Sequence, residues 1–204
     1  VYGAFTTTAL VTVGSDLTIT GAAGSSLTVT LPNSFDSTAI SINTGHTLTL
    51  DGGVDFIARS QNPYRVMEGP GTFTAAEGYS GSIAISNTNT LGSPQAVGSA
   101  TLDVKNSGSI TITGTISSNA PVVLNSKGDV SITTKSELYL DELSIKGANV
   151  ELVCNNDLSS SSFTVFVGKL LNIEAAGNVL ITNKREAAKA ASSAIWGSAV
   201  ISAG

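Results

Sequence analysis

The sequence predicts an all-β protein folded as a parallel β-helix, a β-solenoid with about 20 residues per coil and three columns of strands. Two observations lead to this prediction. Apolar pairs recur at a nearly fixed spacing, and each pair lies in a short run where apolar and polar residues alternate. A fixed period with three strand-like runs per repeat is typical of a solenoid, because a single coil cannot bury its apolar face alone.

Each predicted column is a series of these apolar residues, and successive members of a column are separated in the sequence by about one coil period. Members of a column are expected to stack in successive coils about 4.8 Å apart. The first column holds Leu102/Val104, Val122/Leu124, Leu143/Ile145 and Phe163/Val165; the second holds Ile110/Ile112, Val130/Ile132, Val150/Leu152 and Leu171/Ile173; the third holds Ile116, Leu138, Leu158 and Val179. The pattern is expected to extend backwards to Ile83, Leu91 and Val97 and to place Leu27 over Leu48.

A glycine precedes the second column each time, at Gly108, Gly128, Gly147 and Gly168. A corner between two strands needs backbone angles that glycine adopts readily, so these glycines are predicted to form one corner of the coil. An antiparallel sandwich also has alternating strands and is the alternative. It gives no reason for three columns with one period.

Composition narrows the classes of function. The 204 residues carry a net charge of −5 without any block of like charge, which argues against a nucleic-acid partner. The single cysteine, Cys154, excludes an intramolecular disulfide. No apolar run is long enough to cross a bilayer, so no transmembrane segment is expected.

The N-terminal segment, residues 1–13, is predicted to be a β-strand, because residues 5–13 are uncharged and rich in threonine. It would serve either as a cap or as a strand between subunits. The solenoid itself is assigned to residues 14–183.

Residues 59–71 interrupt the pattern with Asn-Pro and Gly-Pro pairs and are predicted to form a loop inserted at a corner. Loops on a rigid scaffold often bind ligands. A corner loop without a ligand is the alternative. The candidate binding residues of this loop are Arg59, Tyr64, Arg65 and Glu68.

The C-terminal segment, residues 184–204, is predicted to begin with a short helix. Residues 184–194 are rich in helix formers, and Asn183 and Glu186 have the spacing of a capping box. An apolar tail follows. The segment would either cap the last coil or take part in assembly.

The coil pattern resembles the passenger domains of bacterial autotransporters and of secreted adhesins of the filamentous-haemagglutinin type. The resemblance is carried by the stretches 43–52, 71–74, 106–113 and 127–133, with forms such as Gly-Ser-Ile-Thr-Ile-Thr. It implies a right-handed parallel β-helix, located outside the cell or on a bacterial surface, with roles in adhesion, display or autoaggregation. The sequence shows neither a translocator barrel nor a two-partner-secretion signature.

The sequence offers no constellation for catalysis, a metal or a cofactor, so the protein is predicted not to be an enzyme. β-helical pectin-cleaving enzymes need several carboxylates with a Lys or Arg on one face. The acidic residues Glu137, Asp141, Glu142 and Glu151 are interleaved with lysines and are interpreted as a solvated face. His46 has no second metal ligand nearby in the sequence.

Two functions remain. The first is a secreted or surface-exposed structural solenoid that self-associates into an oligomer or filament. The alternative is the adhesive passenger part of a larger surface protein that binds a glycan or host matrix. For the first, uncapped end coils would invite strand addition. The predicted assembly contacts are Phe5, Leu10, Val11, Val13, Ile195, Trp196, Val200 and Ile201.

Overall fold

The computed structural model of the chain is an all-β solenoid, which confirms the predicted fold class. It describes residues 1–31, 37–61, 63, 65–89, 94–136, 138–156, 163–185 and 193–204. The described residues form strands, turns and bends, with no helix among them.

The strands, numbered along the chain, form three sheets. The first sheet contains β1 (Ala4–Thr7), β4 (Ser26–Leu31), β7 (Asp55–Ser60), β10 (Ile83–Asn87), β13 (Ile110–Thr113), β16 (Val130–Thr134), β18 (Val150–Asn156) and β20 (Val179–Arg185). The second contains β2 (Val11–Val13), β5 (Ile40–Ile42), β8 (Met67–Glu68), β11 (Gln95–Gly98) and β14 (Thr115–Ser117). The third contains β3 (Leu17–Gly21), β6 (Thr47–Gly52), β9 (Thr72–Ala75), β12 (Thr101–Ser107), β15 (Val122–Ser126), β17 (Leu138–Gly147), β19 (Phe163–Ala175), β21 (Ser193–Trp196) and β22 (Ala199–Ala203).

All pairings between the described strands are parallel, and each strand pairs with the strand one coil earlier or later. From β1 to β15 the chain visits the three sheets in turn, with one strand of each sheet per coil, and from β16 onward its described strands belong only to the first and third sheets. Alternate residues of a strand point inward. Along β4, half-buried and buried residues therefore alternate. The inward apolar side chains form one continuous core inside the three sheets.

The middle of the predicted columns is confirmed. In the first sheet Ile110 lies beside Val130, and Val130 lies beside Val150. In the third sheet Val122 lies beside Leu143. All of these side chains are buried.

The predicted last step of the first two columns is wrong. Val150 pairs with Val179 and not with Leu171. Leu171 lies in the third sheet beside Leu143, the position predicted for Phe163. The cause is a coil longer than the predicted period, in which the long strand β19 carries residues of two predicted columns through a corner.

The third predicted column is confirmed at one step, where Val97 lies beside Ile116. Leu138 belongs instead to the third sheet and pairs with Val165. The predicted column members Leu91 and Leu158 lie outside the described residues.

Apart from the step from Val97 to Ile116, the backward extension of the period is wrong where the structure describes it. Ile83 pairs with Ile110 and not with Leu102. Leu27 pairs with Phe56 and not with Leu48. Early coils are thus longer than the predicted period, and their similar Thr-Leu-Thr and Thr-Ile-Thr runs conceal which strands are neighbours.

The glycine corner is confirmed for two of its four predicted members. The Gly128 N–H donates to the Gly108 carbonyl in the preceding coil, and a Cβ on Gly128 would overlap that carbonyl. The next coil places Ala148 at this position, and not Gly147, because the Ala148 N–H donates to the Gly128 carbonyl. Gly168 lies elsewhere, on β19.

The predicted loop insertion at 59–71 is wrong. Arg59 lies on β7 in the first sheet, and Met67 and Glu68 form β8 in the second. Val66 and Met67 are fully buried in the core. Pro63 lies between β7 and β8, and Gly69 and Pro70 lie between β8 and β9, so these residues mark two corners of an ordinary coil and the segment is part of that coil.

The predictions for the two chain ends also need correction. Residues 1–13 hold two strands, β1 and β2, on different sheets of the first coil. The predicted helix over 184–194 is wrong at both ends, since Lys184 and Arg185 belong to β20 and Ser193 and Ala194 to β21. Residues 186–192 lie outside the described part of the chain. Sheet register overrides helix propensity at the two ends of this segment.

Candidate assembly site at the ends of the solenoid

The first coil leaves the core open at its outer side. Phe5 occupies an inward position on β1, stacked on Leu27 and then on Phe56. Along this stack the exposed fraction falls from 56% at Phe5 to 9% at Leu27 and 1% at Phe56. Phe5 is therefore a core side chain without a covering coil.

The exposure of the other apolar residues in the first coil depends on their positions on the strands. Leu17 faces inward above the buried Leu48 and is itself exposed. Among the predicted contact residues, Leu10 is exposed, Val11 is half-buried and Val13 is buried in the core. Val13, which lies beside Ile42 of the next coil, is therefore not available for a contact between copies.

The last coil is open at the opposite side. Ile201 on β22 stacks on Ile173, and the exposed fraction rises from 0% at Ile173 to 44% at Ile201. The neighbouring Val200 and Trp196 are also exposed, while Ile195 is half-buried and packs against the core.

Sequence reasoning missed three exposed apolar residues of the end coils. Tyr2 and Leu17 lie in the first coil, and Leu180 lies on β20 beside Glu151. Leu17 could have been found from its alternation with Thr18 and Ile19, since that pattern places it inward. Leu180 carried no such signal, because it occupies an outward position of its strand.

At both ends of the solenoid, the outermost strands also have one edge without a backbone partner. Within the described chain, β1, β2 and β3 each pair on one side only, with β4, β5 and β6. At the other end β20 pairs only with β18, and β21 and β22 only with β19. Such edges present rows of N–H and C=O groups that can accept another strand.

The two ends differ in charge. Asp16 is the only charged side chain in the first 31 residues, and it is largely exposed. Its carboxylate accepts a hydrogen bond from the Thr47 N–H at 2.9 Å and lies 3.8 Å from the His46 ring nitrogen Nδ1. In the sequence of residues 179–204, Lys184, Arg185 and Lys189 outnumber Glu186. The sequence of the first 31 residues is therefore net negative in its side chains and that of residues 179–204 net positive, and Lys184 is exposed on β20.

The predicted binding residues do not form one loop. Arg59 is exposed on β7, between Thr30 and Ser86 of the neighbouring strands. Tyr64 lies outside the described residues. These positions place Arg59 in a different sheet from Glu68.

Arg65 and Glu68 do come together. The Arg65 Nε–H donates to the Gln95 side-chain oxygen in the next coil, and Nη1 lies 3.3 Å from the Glu68 carboxylate. The contact with Gln95 ties adjacent coils along the second sheet, and the contact with Glu68 lies within one coil. A structural role therefore accounts for both residues.

The described acidic residues that were considered for catalysis form separate contacts. Lys169 Nζ lies 3.4 Å from the Asp141 carboxylate and 3.6 Å from that of Glu142. Glu151 accepts a hydrogen bond from Ser131. Glu137 lies outside the described residues. Among the described residues no three His, Cys, Asp or Glu side chains are close enough together to hold a metal ion. The absence of enzymatic activity stays a prediction.

The buried phenol of Tyr79 is a titratable group whose role is structural. Burial raises the pKa of the Tyr79 phenol well above its usual range, with a smaller contribution from Asp55. The Tyr79 hydroxyl donates to the Val54 carbonyl at 2.8 Å and so joins two turns of the coil inside the core. A neutral phenol with this partner stabilises the fold and has no apparent role at the surface.

Comparison with protein families, with characterised proteins and with solved structures finds no match to this chain. The coil resemblance to autotransporter passengers and haemagglutinin-type adhesins is therefore supported at the level of the β-helical fold alone. Across the described ranges we find no helix with the length and hydrophobicity that a membrane crossing requires.

Proposed function

We propose that this protein is a structural β-solenoid that joins end to end with copies of itself, as an oligomer or filament at the cell surface or outside the cell. The observation that carries the proposal is the exposure of core side chains at both ends. Phe5 and Ile201 occupy inward positions whose equivalents one coil further in are buried. A coil from a second copy would cover them.

The parallel pairing of the strands supports a head-to-tail arrangement. The free edges of β1 and β3 face one end of the solenoid, and those of β20 and β22 face the other. A second copy related by translation along the axis presents a parallel strand to the free edges of β1 and β3, whereas the second sheet ends at β14 and offers no described strand to β2. A two-fold related copy would present antiparallel strands. Head-to-tail contacts between unlike surfaces propagate into filaments when they do not close into rings.

Opposite charge at the two ends supports the same arrangement. Asp16 in the first coil and Lys184 on β20 are both exposed. Complementary charges favour the joining of unlike ends and disfavour that of like ends. Because these charges are exposed, we expect added salt to weaken the association.

The alternative function, the adhesive passenger part of a larger surface protein that binds a glycan or host matrix, stays a prediction. Arg59 and Glu68 lie on strands β7 and β8, so the structure gives this alternative no separate binding loop at 59–71. The extracellular or surface location stays a prediction, supported by the resemblance of the coils to secreted adhesins.

The proposal predicts that one lysine at either end prevents association. We expect Phe5→Lys and Ile201→Lys each to shift the protein from concentration-dependent oligomers to monomers, because a contact would then bury an unpaired charge. The measurements are sedimentation velocity over a hundredfold range of protein concentration and negative-stain microscopy of the same samples.

Thr111→Lys is the matched control, since Thr111 is exposed on the side of the solenoid, far from both ends in the sheet order. It should assemble like the unmodified chain. A monomer at every concentration for the unmodified chain, or equal oligomers in all variants, contradicts the proposal.

A further inference from the structure

One register column of the first sheet lies at the corner where the chain enters each strand. Its members stand at the first residue of the strand or directly before it. We call them the entry column: Ala4, Ser26, Asp55, Ser82, Ser109, Asp129, Asn149 and Asn178. Wherever Asp or Asn occupies this column and a further coil follows, the side chain accepts a hydrogen bond from the backbone N–H of the next member.

Three such hydrogen bonds join successive coils. The Asp55 carboxylate accepts from the Ser82 N–H at 2.8 Å. The Asp129 carboxylate accepts from the Asn149 N–H at 3.1 Å and from the Asn149 side-chain nitrogen Nδ2 at 2.8 Å. The Asn149 side-chain oxygen Oδ1 in turn accepts from the Asn178 N–H at 3.0 Å. An Asp or Asn in the entry column therefore binds the coil that comes after its own.

Asn178 is the last member of the entry column. It directly precedes β20, the end strand of the first sheet, and it is exposed. Within the described chain no group donates a hydrogen bond to its side chain. Asn178 thus presents at the open end an acceptor that, at Asp55, Asp129 and Asn149, is used by the following coil.

The first coil offers the matching donor. The Ser26 N–H donates to the Gly3 carbonyl, and the Asp55 N–H donates to the Ser25 carbonyl. Backbone N–H groups of the entry column therefore point toward the preceding coil. Ala4 occupies this column on β1, and no described strand of the first sheet precedes β1. The Ala4 N–H consequently points out of the open end.

We propose that Asn178 fixes the register of head-to-tail association, because its Oδ1 accepts the N–H of Ala4 in the next copy. This inference rests on the proposed function and adds which strand positions meet. In this register Phe5 of the next copy covers Val179, a half-buried side chain that packs against the core.

A slip by two residues is the competing register, because it preserves the alternation of inward and outward side chains. That slip would carry Asn178 past the start of β1, so that its side-chain oxygen would meet no N–H of the strand. The hydrogen bond to Ala4 therefore selects one of two registers that satisfy the core equally.

Cysteine pairs on the outward face of the first sheet test the register. In the proposed register, Thr6 of one copy lies beside Leu180 of the other, with Cα atoms about 4.8 Å apart, within reach of a disulfide. Thr182 is then roughly 8 Å from Thr6, which is out of reach. An equimolar mixture of Thr6→Cys and Leu180→Cys, oxidised under mild conditions, should give a mixed dimer on a non-reducing gel. Thr6→Cys with Thr182→Cys should give about tenfold less.

Variants of Asn178 test the hydrogen bond. Asn178→Ala removes the acceptor and should raise the dissociation constant, measured by sedimentation velocity, by about fivefold. Asn178→Asp keeps an acceptor oxygen like that of Asp129 and should associate within about threefold of the unmodified chain. In dilute samples that contain only monomer, all three chains should melt at the same temperature, since a purely structural role would lower that of Asn178→Ala.

The outcomes separate this inference from the proposed function. If the unmodified chain associates, equal dissociation constants for it and Asn178→Ala, or more cross-linking through Thr182→Cys than through Leu180→Cys, overturn the assigned register and leave head-to-tail association standing. A monomer at every concentration overturns both.

Discussion

Val130→Asp is expected to unfold the central coils. Val130 is buried and stacked between Ile110 and Val150, so an aspartate there would place a carboxylate in the core without a partner. The cost is roughly 4 kcal/mol or more, and protonation of the carboxylate would relieve it only in part. Thermal unfolding followed by circular dichroism, together with amide hydrogen exchange over β13, β16 and β18, measures the loss.

The control for this prediction is Thr111→Asp, which introduces the same side chain one position out of phase. Thr111 points outward and is exposed, so we expect its replacement to change the melting temperature very little. Equal destabilisation by the two substitutions would show that the assigned alternation of inward and outward residues is wrong.

Replacing residues 61–71 by a short Gly-Ser linker is expected to destabilise the protein strongly. The replacement removes Val66 and Met67 from the core and deletes β8, which pairs with β5 and β11. Loss of a buried methionine or similar side chain alone costs about 2–5 kcal/mol. The measurement is the melting temperature and the β-sheet signal in circular dichroism.

The matched variant keeps the apolar residues and changes only the polar ones, as Arg65→Ser with Glu68→Ser. It loses the contacts to Gln95 and between the two side chains, all of them partly exposed. We expect a loss of about 1 kcal/mol or less. If the linker variant melts like the unmodified chain, the segment is an insertion after all.

The fold class could be predicted from sequence because alternation and repetition are local properties. Ile110 and Val130 lie on strands that follow the same glycine corner, so their spacing in the sequence reports a true coil. Coil length is not local. The coil between Val150 and Val179 is longer than the two coils directly before it in this sheet, and the strand that follows a corner is chosen by packing of the whole core.

The candidate assembly site could be predicted only in part, for a related reason. Phe5 and Ile201 are recognisable in the sequence as apolar residues near the chain ends, and the structure shows that both occupy inward positions. The neighbours of β21 and β22 cannot be found from the sequence. Both strands pair with β19, and no period in the sequence reports that.

Cysteine cross-linking between copies tests the central claim, head-to-tail association, most directly. The single variants Ile19→Cys and Ile201→Cys place a thiol at each open end of the third sheet. Both positions belong to one register column of that sheet, and the native Cys154 is buried. Neighbouring strands of a sheet lie close enough for a disulfide. An equimolar mixture of the two variants, oxidised under mild conditions, should yield a covalent dimer containing one copy of each, and either variant alone should remain mostly monomeric on a non-reducing gel. Efficient dimers of Ile201→Cys with itself, or no cross-link in the mixture at concentrations where the protein is oligomeric, would contradict head-to-tail association.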